Sequence, residues 1–140
     1  MSGATAEGGL LDAARAVKER AYAPYSEFRV GAALQSTDGR IFTGCNVENA
    51  SYPVGLCAER VALGTAVASG ARRFGLLAVA SDAATPTPPC GMCRQALSEF
   101  GLELEIESTS RDGVCVSWRL GDLLPAHFEF PDRGGEGADG

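Results

Sequence analysis

Two cysteines in the second half of the chain, Cys90 and Cys93, stand three residues apart where a proline-rich loop runs into a predicted helix. Residues at this spacing share one face of a helix, so both sulfurs can reach the same ion. Redox pairs and structural zinc sites use the same spacing, so the pair alone does not identify a metal site. Cys57 stands at another predicted loop-to-helix junction, where the helix N-terminus favours a thiolate. If all three sulfurs hold one metal, the fold must bring them together.

The number of candidate ligands distinguishes a catalytic from a structural metal site. Three thiolates leave the fourth tetrahedral position of zinc open for water, which is the arrangement of a catalytic site. A closed site would need a fourth ligand from Cys45, Cys115 or His127, none of which has a ligand-pair spacing. The two cysteines lie in strand-like runs and are more typical of small core residues. His127 is more typical of a surface or pocket-edge residue. We therefore expect one Zn²⁺ per subunit on three cysteines.

Glu59 follows Cys57 by two positions and so does not stack over it on a helix. A carboxylate there need not bind the metal but can lean over its open position, accept a proton from bound water and return it to a substrate. Without the cysteines, Glu59 would be interpreted as a solvated helix residue. Arg60 and Arg94 can each donate to a thiolate and offset the negative charge of three sulfurs, with a surface salt bridge as the alternative.

The hydrophobic pattern predicts one domain over residues 1–140. Helices are predicted over 10–21, 56–68 and about 91–100, and strands over 28–34, 41–47, 74–80, 102–107 and 114–118. This order predicts an α/β fold, a three-layer α/β/α sandwich around a mixed sheet of about five strands. The glycine-rich ends, residues 1–9 and 131–140, are expected to be disordered tails.

Charge and composition exclude several classes of partner. Eighteen acidic against twelve basic residues leave a net charge of −6 with no Lys/Arg cluster, which disfavours a nucleic-acid substrate. No apolar run approaches the roughly 20 residues that cross a bilayer, and the first residues lack the pattern of a signal peptide. An odd number of cysteines, five, argues against a disulfide framework. We expect a cytoplasmic protein without a membrane partner.

The segment Cys-Ala-Glu-Arg at 57–60, followed by Pro-Cys-Gly-Met-Cys-Arg-Gln at 89–95, resembles the cytidine deaminase superfamily. Two further segments narrow the resemblance to the small deaminases of free nucleosides: Tyr-Ala-Pro-Tyr-Ser-Glu-Phe-Arg-Val-Gly-Ala-Ala-Leu at 22–34 and Gly-Cys-Asn-Val-Glu-Asn-Ala-Ser-Tyr-Pro at 44–53. The resemblance implies hydrolytic deamination of cytidine and 2′-deoxycytidine to the uridines, with release of ammonia, in pyrimidine salvage. In that chemistry a zinc-activated water attacks C4 of cytosine, and Glu59 protonates the ring and the departing ammonia.

The resemblance also implies which residues bind a nucleoside. Asn46 and Glu48 are expected to hold the ribose hydroxyls through charge-assisted hydrogen bonds, and Phe28 to pack against the pyrimidine. The backbone amide of Ala58 would contact the base carbonyl, and the main-chain carbonyl of Pro88 would accept from the amino group. From the residues alone, the first three would be interpreted as a turn asparagine, an exposed glutamate and a core phenylalanine.

Relatives in this family are commonly homotetramers whose neighbouring subunits complete each active site. Ala50 and Tyr52 match positions that reach the ribose end of an adjacent site, and Phe128 matches an aromatic that covers a neighbour's base. The resemblance therefore implies a homotetramer with shared sites. Arg29 stands where relatives often have proline, and Pro88 where a small polar residue is usual.

Three other functions fit parts of the sequence. The chain could deaminate another cytosine-bearing small molecule of the blasticidin type, but those relatives lack the segment at 46–53, which favours a plain ribose. Editing of polynucleotides is disfavoured by the acidic charge and by the short chain. A zinc-stabilised binding module without catalysis predicts that replacing Glu59 changes nothing measurable.

Overall fold

The computed structural model describes residues 3–131 and contains a single five-stranded sheet. The strands are β1 Val30–Ser36, β2 Ile41–Cys45, β3 Phe74–Ser81, β4 Glu105–Thr109 and β5 Cys115–Arg119. The helices are α1 Gly3–Lys18, α2 Ala58–Ala68, α3 Gly91–Ser98 and the short α4 Leu120–Leu123, with a 3₁₀ turn at Tyr52–Val54. Within the described residues, no helix combines the length and apolar character needed to span a membrane.

The sheet is mixed, with the strand order β2-β1-β3-β4-β5. Strand β1 pairs antiparallel with both β2 and β3, β3 pairs parallel with β4, and β4 pairs antiparallel with β5. The β1–β2 hairpin turns at Gly39, whose φ of 97° lies in the left-handed region that glycine adopts without steric cost. This confirms the predicted mixed sheet of about five strands.

Successive residues of a strand point to opposite faces of the sheet, and both faces are buried. One face packs against α1 through small side chains, which include Ala33, Ala78 and Ala80. The opposite face packs against α2 and α3 with larger ones; its buried strand residues include Ala32, Leu34, Leu77, Val79 and Ile106. The predicted three-layer α/β/α sandwich is therefore confirmed.

Gly44 lets α2 lie directly on strand β2. A Cβ at this position would be 2.4 Å from the backbone nitrogen of Ala62 and 2.7 Å from the carbonyl oxygen of Ala58, closer than non-bonded atoms approach. The missing side chain therefore sets the distance between the sheet and the helix that begins at Ala58. This distance matters for the site, because Cys57 immediately precedes α2.

Several element boundaries differ from those predicted. Helix α1 begins at Gly3, seven residues before the predicted start, and so includes residues expected in the N-terminal tail. Strand β1 begins at Val30, because the preceding amides bind side chains: that of Phe28 donates to Ser26 Oγ at 3.0 Å and that of Arg29 to Asp82 at 3.0 Å. Of the predicted tails, residues 1–2 and 132–140 lie outside the described part of the chain.

Candidate metal centre and active site

The N-termini of α2 and α3 bring three cysteine sulfurs together. Cys57 caps α2, Cys90 caps α3, and Cys93 lies in the first turn of α3. The three Sγ atoms all lie within 4.8 Å of one another, and those of Cys57 and Cys90 are 3.8 Å apart. Tetrahedral zinc with Zn–S bonds of about 2.3 Å separates its sulfur ligands by roughly 3.8 Å. The three cysteines therefore fit zinc in both donor type and spacing.

The remaining candidate ligands lie elsewhere in the described structure. Cys45 ends β2 and is half-buried, whereas Cys115 begins β5 and is exposed. His127 contacts Glu129, with Nε2 and Oε2 2.8 Å apart. The metal-competent cluster found in residues 3–131 consists of three sulfurs, which leaves a fourth position for a small ligand.

The surroundings of the cluster favour an ionised sulfur. Hydrogen bonding from Cys93, together with the guanidinium of Arg60, lowers the pKa of Cys57 to about 5. The Nη2 atom of Arg60 lies 3.9 Å from Cys57 Sγ, and this contact raises the pKa of Arg60. The pKa of Cys93 is raised, because its thiol donates to Cys57 and is buried. Cys57 and Cys90 lie at the N-termini of α2 and α3, where the helix dipoles favour negative charge on the sulfurs.

Glu59, the second residue of α2, is buried beside the sulfurs and is only 5% exposed. One of its oxygens, Oε1, lies 3.8 Å from Cys93 Sγ. Burial raises the pKa of Glu59 to about 6, which is close to neutrality and suits a group that both accepts and donates protons. The environment is therefore that of a functional carboxyl group and not that of a solvated helix residue.

A cavity of about 650 Å³ opens beside the sulfurs. This volume lies in the range of small-molecule binding sites. The wall includes Cys57, Cys90 and Glu59. Five of the residues predicted to bind a nucleoside also line it: Phe28, Asn46, Glu48, Ala58 and Pro88. Tyr52, which was predicted to reach the site of an adjacent subunit, lines this cavity as well.

Glu48 is fixed at the wall by the turn that contains Tyr25 and Ser26. Its Oε1 accepts from the amides of Tyr25 at 2.9 Å and Ser26 at 3.1 Å, and its Oε2 accepts from the Ser26 hydroxyl. The Ser26 hydroxyl is the largest cause of a lowered pKa of Glu48. The carboxylate is thus ionised at neutral pH and held in one orientation.

Asn46 fixes the next part of the same segment, Phe28 to Val30, through both of its amide atoms. Its Nδ2 donates to the carbonyl oxygen of Phe28 at 2.8 Å, and its Oδ1 accepts from the amide of Val30 at 2.9 Å. The side chain therefore holds the backbone on both sides of Arg29. A carboxamide has two donor hydrogens and two acceptor lone pairs, so each atom retains capacity for a ligand.

Four predicted residues lie outside the cavity lining of the single subunit, and one of them, Cys93, is fully buried within the sulfur cluster. Ala50 is exposed in the loop before Tyr52, and Phe128 is 67% exposed near the end of the described chain. Arg94 donates to the carbonyl oxygens of Pro89 at 2.7 Å and Leu123 at 3.0 Å, where a thiolate contact was expected. The physical reason is that neighbouring helix residues point about 100° apart, so Arg94 leaves the face occupied by Cys93.

The structure adds residues that the sequence did not single out. Ser26 and Thr87 line the cavity. The hydroxyl of Thr87 contacts Ser81 at 3.0 Å and its carbonyl oxygen accepts from Ser108 at 2.8 Å, which fixes the loop before Pro88. Ser26 lies inside the segment 22–34, which carries part of the family resemblance. Thr87 is held by Ser108, a residue distant in sequence, so no local pattern indicates its role.

Comparisons with known proteins agree with this geometry. Residues 6–106 match the family model described as the cytidine and deoxycytidylate deaminase zinc-binding region. The chain is 42% identical over 124 residues to the cytidine deaminase of Sporosarcina psychrophila, covering 88% of this chain and 91% of the relative. It is 46% identical over 113 residues to that of Mycobacterium tuberculosis, covering 80% and 81% respectively. The crystal structure of cytidine deaminase from Burkholderia pseudomallei superimposes with a TM-score of 0.84 at 47% identity, covering 91% of this chain and all of the other.

Proposed function

The chain belongs to the cytidine and deoxycytidylate deaminase family, and we infer from this membership that it is a zinc-dependent cytidine deaminase. It hydrolyses free cytidine and 2′-deoxycytidine to the corresponding uridines and ammonia. The observation that carries this conclusion is the cluster of three sulfurs beside buried Glu59 on the wall of a cavity of about 650 Å³. The relatives named above are cytidine deaminases, so a blasticidin-type substrate is not favoured.

Cys57, Cys90 and Cys93 would hold the metal. Zinc bound to them supplies Lewis acidity that makes water nucleophilic at neutral pH. Arg60 supports this arrangement, because its contact with Cys57 offsets part of the negative charge of the sulfurs. Arg94 stabilises the same loop less directly, through the carbonyl oxygen that precedes Cys90.

Glu59 would carry the protons of the reaction. Its carboxylate accepts a proton from the attacking water while the water oxygen bonds to C4 of the base, and it delivers that proton to the ring nitrogen. The same carboxylate then accepts the proton of the new C4 hydroxyl group and delivers it to the amino group, so that C4=O forms as the C4–N bond breaks. Water and cytidine thus give uridine and ammonia without a net change in the protonation of Glu59.

The cavity wall would orient the nucleoside toward Glu59. Phe28 packs against the pyrimidine, and Asn46 and Glu48 clasp the ribose hydroxyls. The Ala58 amide at the N-terminus of α2 donates to the base carbonyl, and the Pro88 carbonyl oxygen accepts from the amino group. The support is that all five residues line one cavity together with Cys57, Cys90 and Glu59.

A free nucleoside fits this site better than a polynucleotide. The ionisable residues of the cavity wall include the acidic Glu48 and Glu59, and the basic Arg60 is engaged with Cys57. A phosphate backbone needs concentrated positive charge, which the net charge of −6 does not supply. We accordingly place the enzyme in pyrimidine salvage in the cytoplasm, without a nucleic-acid or membrane partner.

We further propose a homotetramer with shared active sites. Large apolar side chains are exposed at and near the cavity, with exposed fractions of 76% for Tyr52, 64% for Met92 and 67% for Phe128. Exposed apolar surface of this kind is typical of protein interfaces. In the assembly Ala50, Tyr52 and Phe128 would contact substrate in a neighbouring subunit. Light scattering of the purified protein should give four times the 14.5 kDa chain mass.

The decisive experiment combines zinc quantification with the absorbance change on mixing with cytidine. We expect one zinc per chain and conversion to uridine. Glu59→Gln keeps the shape of the side chain but cannot exchange the same protons, so kcat should fall by about 10² to 10⁴ with zinc retained. Turnover by this variant at the wild-type rate would contradict the proposed role of Glu59. A wild-type protein that holds one zinc per chain but does not turn over cytidine would favour a zinc-stabilised binding module instead.

A further inference from the structure

The turn before strand β1 contains a serine that contacts two parts of the substrate cavity. This turn is closed by a hydrogen bond of 3.0 Å from the Glu27 amide to the Ala23 carbonyl oxygen. Glu27 has a φ of 57°, a left-handed conformation that is uncommon for a residue other than glycine. Non-glycine residues in this region concentrate at functional sites, where surrounding contacts hold them in place.

The Ser26 hydroxyl uses both its donor and its acceptor capacity in this turn. It donates to Glu48 Oε2 and accepts from the Phe28 amide at 3.0 Å. The Ser26 hydroxyl oxygen therefore connects the Glu48 carboxylate to the backbone of Phe28. Glu48 would bind the ribose, and Phe28 would pack against the base. The amide of Ser26 donates to Oε1 of the same carboxylate at 3.1 Å.

We propose that Ser26 is a positioning residue for nucleoside binding, which acts by fixing Glu48 relative to Phe28 and so sets the spacing between the ribose and base contacts. This inference rests on the proposed function and concerns the same cavity. Ser26 acts through its neighbours, because the hydrogen bonds of its hydroxyl are directed to Glu48 and Phe28.

Removing the hydroxyl would change the wall in a defined way. Glu48 would keep its two backbone donors on Oε1 and would remain at the wall, but Oε2 would lose the donor that fixes its rotation. The Phe28 amide would lose its acceptor, although Asn46 would still hold the Phe28 carbonyl oxygen. The expected defect is thus in binding, and Glu59 and the sulfurs should be unaffected.

The test is a double-mutant cycle on the full-length enzyme with Ser26→Ala, Glu48→Gln and the double variant. Ser26→Ala should raise KM for cytidine about tenfold, as expected for the loss of one charge-assisted hydrogen bond, and should change kcat by less than about threefold. In the Glu48→Gln background the same change should raise KM by less than about twofold, because the two residues act as a unit. Ser26→Thr keeps the hydroxyl and should restore KM to within about threefold of wild type.

Ser69→Ala is the matched control. Its hydroxyl donates to the Thr65 carbonyl oxygen at 2.9 Å at the C-terminal end of α2, and Ser69 lies roughly 18 Å along the helix from Cys57. This variant also loses one serine hydrogen bond and should leave KM unchanged. Zinc content should be one per chain in every variant.

The outcomes separate this inference from the proposed function. Equal KM effects of Ser26→Ala in both backgrounds, or an unchanged KM, would refute the positioning role even if the wild type deaminates cytidine. Failure of the wild type to turn over cytidine would refute the proposed function instead. In that case the dissociation constants of uridine, measured by calorimetric titration for the wild type and the three variants, would replace the KM values. The positioning role would still require Ser26→Ala to weaken binding less in the Glu48→Gln background than in the wild type.

Discussion

Replacing Gly44 by alanine tests whether the position of α2 on the sheet controls the active site. The new Cβ would lie 2.4 Å from the Ala62 nitrogen, 2.7 Å from the Ala58 carbonyl oxygen and 2.8 Å from the Val61 Cβ. Two of these three atoms are helix backbone, so a side-chain rotation cannot relieve the overlap. Ordinary contacts need about 3.5 Å, and the helix must therefore move by roughly 1 Å.

The displacement has two separable costs. Overpacking of a well-packed core costs about 3 kcal/mol when the obstacle is backbone, which lowers the melting temperature by roughly 10 °C in a domain of this size. Helix α2 also carries Glu59, and Cys57 caps it. A 1 Å misplacement of a reacting group can lower turnover by about 10²-fold. Gly44→Ala should therefore lose both stability and activity.

Gly64→Ala on the same helix provides the matched control. Gly64 is exposed, and a Cβ there meets nothing within 4 Å. Alanine should stabilise the helix by about 0.5–1 kcal/mol and raise the melting temperature by roughly 2–3 °C, with unchanged kcat.

Thermal unfolding followed by circular dichroism, at fixed zinc and protein concentration, measures both variants. Steady-state deamination of cytidine at 25 °C measures their activity. A melting temperature of Gly44→Ala within about 2 °C of wild type would refute the reasoning from close packing. So would a loss of stability in Gly64→Ala equal to that in Gly44→Ala.

Two further predictions concern acid stability and the metal. Burial acts to raise the pKa of Asp82, but hydrogen bonds from Arg29 and Lys18 outweigh it and hold the pKa at about 2. Because this is below the unfolded value of about 3.9, the stabilisation is present above about pH 4 and is lost as the pH falls toward 2. Asp82→Asn should lower the free energy of unfolding by about 1 kcal/mol at pH 7 after allowance for solvent screening. In unfolding titrations at about pH 3 the difference between the variant and the wild type should be smaller. The same difference at both pH values would contradict the role assigned to Asp82. Removal of zinc by a chelator should lower the melting temperature and abolish turnover, and added zinc should restore both; Cys93→Ser should not be restored by zinc at the concentration that restores wild type.

The metal half of the site could be predicted from local sequence spacing. Cys90 and Cys93 flank the first turn of α3, and Cys57 and Glu59 flank the start of α2, so helix geometry alone fixes their relative positions within each pair. Local spacing could not predict that the N-termini of α2 and α3 lie next to each other, since this depends on the whole fold. Local spacing did not decide the contact of Arg94, for which a thiolate and a surface salt bridge both remained open, because adjacency to Cys93 in sequence does not mean a shared helix face.

The strands and helices could be predicted where the hydrophobic pattern or the turn residue is unambiguous. The unbroken apolar run of β3 and the turn at Gly39 are examples. Boundaries were not predictable where side chains replace backbone partners. The sequence pattern extends the first strand to Phe28, but the strand begins at Val30, since the Phe28 amide binds Ser26 and that of Arg29 binds Asp82.

The start of β1, which the hydrophobic pattern places at Phe28 and the structure at Val30, lies on the wall of the cavity. A residue in the interior of a central strand directs its amide and carbonyl to the neighbouring strands, whereas at the end of the ladder the amide of Val30 already binds the side chain of Asn46. By leaving the ladder before Val30, the chain frees Phe28 to be held by Ser26 and Asn46, two side chains of the cavity wall. The early end of pairing would thus position the proposed base contact, Phe28, relative to the proposed ribose contacts. Extending the ladder by two residues would remove these hydrogen bonds, so the wall of this cavity depends on a strand that is shorter than its apolar pattern indicates.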